Sequence, residues 1–117
     1  MNDRFLFRVF NKKNNRFVDN DVVNKINLFD LPRAAIKYYT VEQCTGLKDK
    51  NGVLIYEGDI VKFKISSFKR HGAVRWDKNT GGWLKDNTGQ PLHTYAKTIE
   101  VIGNIHKNPE LLEGLNE

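Results

Sequence analysis

Cysteine is almost missing from this chain. Cys44 stands alone, which excludes an internal disulfide; in the strand-like run YYTVEQC it reads as a small half-buried side chain. Long apolar runs are missing too. Charge alternates with phenylalanine from the start, in NDRFLFRVF, which argues against a membrane span or a secretory hydrophobic region and makes a cytoplasmic location the expectation. His71, His93 and His106 lie far apart and have no close-spaced partner, so no metal-ligand motif is present. There is no GxGxxG, no P-loop, no GxSxG, no internal repeat and no low-complexity tract. Neither a cofactor nor a metal is expected, and an enzyme is not the reading these absences favour.

What the chain does hold is a globular composition. Hydrophobic residues make up 39% and charged residues 28%, with seven Phe, four Tyr and two Trp in 117 residues. That suits one domain with a real core, with room for two small subdomains sharing it. The formal charge of +5 is unevenly placed. Residues 62–78 carry six basic side chains against the single acid Asp77, and a local excess of this kind points to a surface with a task or to a solvated strand face.

In chain order, Arg4 to Phe10 alternates with period two, a strand with Phe5, Phe7 and Val9 on one face and Leu6, Arg8 and Phe10 on the other. NKKNN then predicts a hairpin tip near Asn14-Asn15. Val22, Val23, Ile26 and Phe29 sit at helical spacing behind Asn20 or Asp21, which predicts a short helix. Ala34 to Cys44 turns strand-like again. Asn51-Gly52 and Gly58 are turn residues around Leu54 to Tyr56, and Asp59 to Ile65 forms a strand with Val61, Phe63 and Ile65 on an apolar face and Lys62 and Lys64 on a basic one. Ser66 to His71 reads as a polar loop, Gly72 to Trp76 as a strand with Trp76 beside Val74 in the core, Trp83 to Lys85 as another, and Lys97 to Ile105 as the last, with a bulge at Gly103. Short strands between glycine-rich turns suggest a small barrel. Asn108-Pro109-Glu110 then places a cap residue, a first-turn proline and a first-turn acid ahead of a short terminal helix.

The segments FRVFNKKNNRF at 7–17, TGLKDKNGVLIYEGDIVKF at 45–63 and IEVIGNIHKNPELL at 99–112 resemble the YopX-like proteins of bacteriophages and prophages. The resemblance implies a mainly β (α+β overall) fold. Residues 1–44 would form an N-terminal β-rich subdomain with a short helix, 45–58 a connecting hairpin, and 59–117 an SH3-like β-barrel with a short terminal helix. It also implies an intracellular phage or prophage protein that self-associates, and it brings no established activity.

Three functional readings follow from the residues. The carboxylates Glu57 and Asp59 flank Gly58, the two acids that an acid–base pair would need, but Asp59 is better read as a turn cap accepting backbone N–H bonds. Lys62, Lys64, Lys69, Arg70, Arg75 and Lys78, interleaved with Phe63, Phe68, Trp76 and Trp83, suit nucleic-acid binding through phosphate contacts and stacking; alternation puts Phe63 opposite Lys62 and Lys64, which favours a solvated face instead. Phe5, Leu6, Phe7, Val9 and Phe10 form a two-sided apolar strand that either self-association or the chain's own packing would cover. The expectation is a non-enzymatic binding or assembly module, a homo-oligomer whose partner is itself or a phage or host protein, with nucleic acid as the alternative and no membrane contact.

Overall fold

The computed structural model describes residues 7–19, 37–65, 67–85, 90–93 and 98–112. The expected helix at Val22 to Phe29, and Phe5 and Leu6 of the apolar strand, lie outside them.

The N-terminal part is an antiparallel sheet. Strands β1 (Phe7–Asn11) and β2 (Arg16–Phe17) form the expected hairpin, whose tip holds Asn15 at a φ of 59°. On the other side of β1 lies β3 (Tyr39–Lys48), in a register that sets Arg8 against Glu42, Val9 against Val41 and Phe10 against Thr40. Strand β4 (Leu54–Tyr56) completes the order β2-β1-β3-β4. On β3 the alternation buries Glu42 and Cys44 and exposes Val41 and Gln43.

The C-terminal part curls into a half-barrel. Strand β5 (Asp59–Ile65) is central, flanked by β6 (Phe68–Ala73) and β9 (Glu100–Asn104), while β7 (Arg75–Asp77) and β8 (Gly82–Leu84) make a separate hairpin. Hydrogen bonds link the ladders: Val74 N–H donates to Asp59 O at 2.8 Å, and Leu92 N–H to Trp83 O at 2.9 Å. The core gathers Ile55, Val61, Phe63, Val74, Leu92 and Ile99, with Leu47 and Val101 packed against it. The mainly β class is therefore what forms. Among the described residues the helical structure is a 3-10 turn at Pro109–Leu112.

Four local expectations need correction. The polar stretch ending at His71 is largely strand, because Phe68 to His71 pair with β5 from Ile65↔Phe68 to Lys62↔His71; an outer strand that is mostly exposed keeps a polar composition while satisfying its backbone. Trp76 is 49% exposed rather than beside Val74, because Val74 falls between strands and breaks the alternation; the Trp76 ring instead meets Trp83 edge-on at 5.2 Å. The last strand starts at Glu100, and its register slips between Ile60↔Gly103 and Val61↔Val101, a bulge beside Gly103. Asn108 stands at the expected cap position, its C=O accepting Leu111 N–H at 3.0 Å, but its side chain does not do the capping. Its Oδ1 accepts Asn104 N–H at 3.3 Å and sits where a Cβ on Gly103 would go, at 2.6 Å.

One carboxylate and two glycines fix the turns around β4. The Asp49 carboxylate accepts N–H bonds from Asn51 at 2.8 Å, Val53 at 2.9 Å and Val101 at 3.0 Å, tying the β3–β4 tip to β9. Burial disfavours its charge, yet these three donors, with Lys50 nearby, outweigh that and hold the Asp49 carboxyl below the ordinary aspartate range. Gly58 has φ +87°, and a Cβ there would run into the Glu42 carboxylate. Gly52 has φ +83° with open space around it.

Gly58→Ala is expected to lower stability by about 3 kcal/mol or more, from backbone strain plus a buried clash, and Gly52→Ala by about 1 kcal/mol, from strain alone; urea denaturation of the two variants measures the difference. For Asp49, a folded pKa below the unfolded value stabilises the fold above about pH 4, and that contribution fades as pH falls through the folded value. The stability gap between wild type and Asp49→Asn is therefore expected to narrow between about pH 7 and pH 3, read from denaturation curves at both.

Candidate functional site

The N-terminal sheet and the half-barrel meet at a half-buried cation, Arg8. Arg8 points from β1 toward Glu42 on β3, its hydrogen-bonded neighbour in the register, and its Nε donates to Glu42 Oε1 at 2.9 Å. Its NH1 reaches Asp59 Oδ1 at 2.7 Å, and NH2 donates to Glu57 O at 3.2 Å. The guanidinium lies 4.7 Å from the Phe17 ring centroid and 4.9 Å from that of Tyr56, positions that favour a cation over an aromatic face. The second Glu42 oxygen is 3.1 Å from His106 Nε2, and the His106 ring stacks on Phe10 with centroids 4.0 Å apart. Asp59 also accepts Tyr56 N–H at 2.8 Å, the turn-capping role expected of it. Burial, the largest influence, pushes the Asp59 carboxyl above its ordinary range against the pull of Arg8 and the Tyr56 N–H.

Beside this network is a hollow of about 310 Å³ whose lining includes Val41, Glu57, Ala73, Arg75 and Ile105. One of its walls is a strand edge. In an antiparallel ladder successive residues turn their N–H and C=O groups to opposite sides. Lys12 N–H donates to Tyr38 O across to β1, while Glu57 N–H donates to Gln43 O on the other side, so odd-numbered residues of β3 face away from β1. Strand β4 covers that side only from Lys48↔Leu54 to Cys44↔Tyr56. Tyr39 and Val41 therefore present their backbone groups to an edge that, among the described residues, no strand pairs with. Val41 is 39% exposed and Ile105 38%.

The basic residues picked out in the sequence do not form one patch. Register places Lys62, Lys64, Lys69 and His71 on one face of the β5–β6 pair, and Phe63 and Arg70 on the other. Lys62, Lys64 and Lys69 line a cleft of about 370 Å³ together with Lys50 and Thr98. Arg75 lines the hollow instead, and Lys78 belongs to the β7–β8 turn. Glu100 sits at the cleft, 3.1 Å from Lys50 Nζ and 3.7 Å from Lys62 Nζ; the hydrogen bond from Lys50 and the two lysine charges hold its carboxyl below the ordinary range. Of the apolar strand, Val9 and Phe10 are buried within the chain and Phe7 is 45% exposed. Val9 and Phe10 thus offer no surface to a partner. Among the described residues, no three His, Cys, Asp or Glu side chains gather where they could hold a metal, and no helix is long and apolar enough to cross a membrane.

Arg8, Glu42, His106, Val41 and Lys50 escaped the sequence reading. A signal existed for the first two, a lone cation and a lone acid each in the middle of an apolar strand (FRVF and YTVEQC), where a charge stays only if something pairs it. The open edge had none, since it depends on where β4 stops.

A half-barrel joined to an N-terminal sheet through a buried ion network defines a small mainly β protein. The chain belongs to the YopX family, whose model, described as YopX protein, matches residues 6–113. It is similar in structure to the crystal structure of protein EF1440 from Enterococcus faecalis, with 26% sequence identity and a TM-score of 0.62 over 92% of this chain and 96% of that one. No curated protein matches it.

Breaking the network from its centre is expected to be costly. Arg8→Met leaves two buried carboxylates without their cation, a loss of about 3–5 kcal/mol at neutral pH. The pH dependence follows from Asp59. Its folded pKa lies above the unfolded one, so the folded state holds the extra proton between the two values and loses stability as pH rises through that window. Removing Arg8 raises the folded value further and widens the window. The Arg8→Met penalty should accordingly be smaller near about pH 4 than near about pH 7, which urea denaturation of both proteins at each pH determines.

Proposed function

We propose that this chain is a non-enzymatic protein-contact module that self-associates through the open edge of β3. The observation that supports it is the edge at Tyr39 and Val41, with no strand paired to it among the described residues, Val41 also lining the largely apolar hollow. Unpaired edge groups beside apolar surface are the surface that strand addition uses, main-chain bonds giving affinity and pockets giving selectivity. A two-fold axis through Thr40 would pair Tyr39 of one copy with Val41 of the other, extending the sheet across the dimer. Glu57 and Arg75 stand at the same hollow with opposite signs, and neither is in an ion pair among the described residues, so two copies are charge-complementary there. Phe7, exposed on the same face of the sheet as Val41, extends the apolar surface. What supports a non-enzymatic reading is the state of the acids and the base: Glu42, Asp59 and His106 are engaged with Arg8 or with one another, leaving Glu57 without a paired base.

Light scattering at tens of micromolar is expected to give twice the 13.6 kDa chain mass for the wild type and the chain mass itself for Val41→Lys. An exposed edge lysine leaves the fold intact while blocking edge pairing. A wild-type protein that stays at 13.6 kDa would remove self-association, and a dimer unaffected by Val41→Lys would move it to another surface.

A further inference from the structure

The lysine cleft on the half-barrel is remote in kind from the β3 edge. Lys64 and Lys69 are direct cross-strand partners, a like-charge juxtaposition that costs stability when nothing lies between the two. The acid at the cleft, Glu100, is engaged by Lys50 and Lys62. No carboxylate among the described residues is within ion-pair distance of Lys64 or Lys69. Four lysines line a concave surface of about 370 Å³, with Glu100 reaching only Lys50 and Lys62, whereas an ordinary solvated face would disperse its charge or pair it.

The spacing and the neighbours narrow the ligand. Lys62 and Lys64 are two residues apart on one strand, about 6.7 Å, comparable with the step between successive phosphates along a nucleic-acid strand. Lysine is a point charge with freely rotating donors and has no fork geometry for reading a base or clamping a single carboxylate. No accessible aromatic platform is offered: Phe63 borders the cleft but is only 1% exposed, and Phe68, 71% exposed, pairs with Ile65 on the opposite face from Lys64 and Lys69. Trp76 belongs to the β7–β8 hairpin. The surface therefore has phosphate-binding groups and no stacking groups, which differs from the mixed basic and aromatic surface anticipated from the sequence.

We propose that the cleft formed by Lys50, Lys62, Lys64 and Lys69 is a contact site for the phosphodiester backbone of nucleic acid, bound without base readout. Glu100 limits its affinity by holding Lys50 and Lys62. Arg70, Arg75 and Lys78 take no part.

Fluorescence anisotropy with labelled single-stranded and duplex oligonucleotides, titrated with salt between about 50 and 200 mM, tests this on the full chain. Binding that weakens steeply with salt and differs little between sequences is expected. The Lys64→Ala/Lys69→Ala double variant should lose about tenfold or more in affinity at the low-salt end, with a log–log salt slope shallower by about 1.4 on single strands, the value for two phosphate contacts. Glu100→Gln should tighten binding severalfold, whereas Asp19→Asn, with the same change in net charge at an exposed position away from the cleft, should not. Lys78→Ala, in the β7–β8 turn outside both surfaces, should bind as wild type does. Absence of binding at low salt, an unchanged slope in the double variant, or equal gains from Glu100→Gln and Asp19→Asn would each overturn the proposal. Circular dichroism on the double variant confirms that it folds, so that lost binding is read as lost contacts. Val41→Lys is expected to leave the salt slope intact, which separates this site from the self-association edge.

Discussion

A half-buried guanidinium is the constraint that much of this structure answers to. Moving an arginine out of water costs several kcal/mol unless its donors are met by charge and by well-placed acceptors, and Arg8 is met on three nitrogens by Glu42, Asp59 and the Glu57 carbonyl. The partners come from β3, from the turn between β4 and β5 and from the first residue of β5, so the solvation of one side chain on β1 fixes the relation of several elements. A one-residue slip of β1 against β3 would turn Arg8 to the other face of the sheet and strand both acids. The register between Arg8 and Glu42 is consequently set by electrostatics as much as by the apolar pattern. His106 extends the same logic to the end of β9, where its contact with Glu42 and its stacking on Phe10 draw the half-barrel onto the N-terminal sheet.

Local geometry obeys the network too. Asp59 reaches Arg8 only if the chain reverses just after β4, and Gly58 supplies that reversal with a backbone angle and an absence of side chain that Glu42 requires. The same aspartate closes the turn through Tyr56 N–H. One residue thus serves turn capping and charge compensation together, and its raised pKa reflects the burial that both demand.

Much of the fold was legible because it rests on short-range chemistry. The Asn14-Asn15 tip, the Gly52 and Gly58 turns, the Asp59 cap and the alternation of Val61, Phe63, Lys62 and Lys64 are written in adjacent residues, and the three family-like segments fall within β1–β2, β3–β5 and β9 with its terminal turn. What failed depends on pairing. Phe68 to His71 look like loop because an outer strand satisfies its backbone without apolar side chains, and Trp76 looks like core because period-two reasoning carries through Val74 when the chain does not. Sequence alone left open whether the basic cluster is one patch, and the pleat divides it: Lys69 and Arg70, neighbours in the chain, lie on opposite faces. Lys50 joins the cleft from a hairpin tip that Asp49 holds against Val101, a tertiary relation that no local pattern encodes.

The open edge of β3 follows from the same half-buried charge. A continuous hairpin partner would run on past Cys44↔Tyr56 and cover Val41 and Tyr39, but β4 cannot continue, since the next residues must carry Asp59 back to Arg8. The arginine's need for a second carboxylate therefore shortens β4, and the shortened β4 leaves two residues of β3 unpaired. Ala73 to Arg75 and Ile105, brought alongside by their bonds to Asp59 and Gly58, wall that gap into a hollow rather than filling it. The contact that joins the two halves of the molecule and the edge offered to a partner are two consequences of one electrostatic requirement, so a partner strand at Val41 would occupy the place that β4 gives up to solvate Arg8.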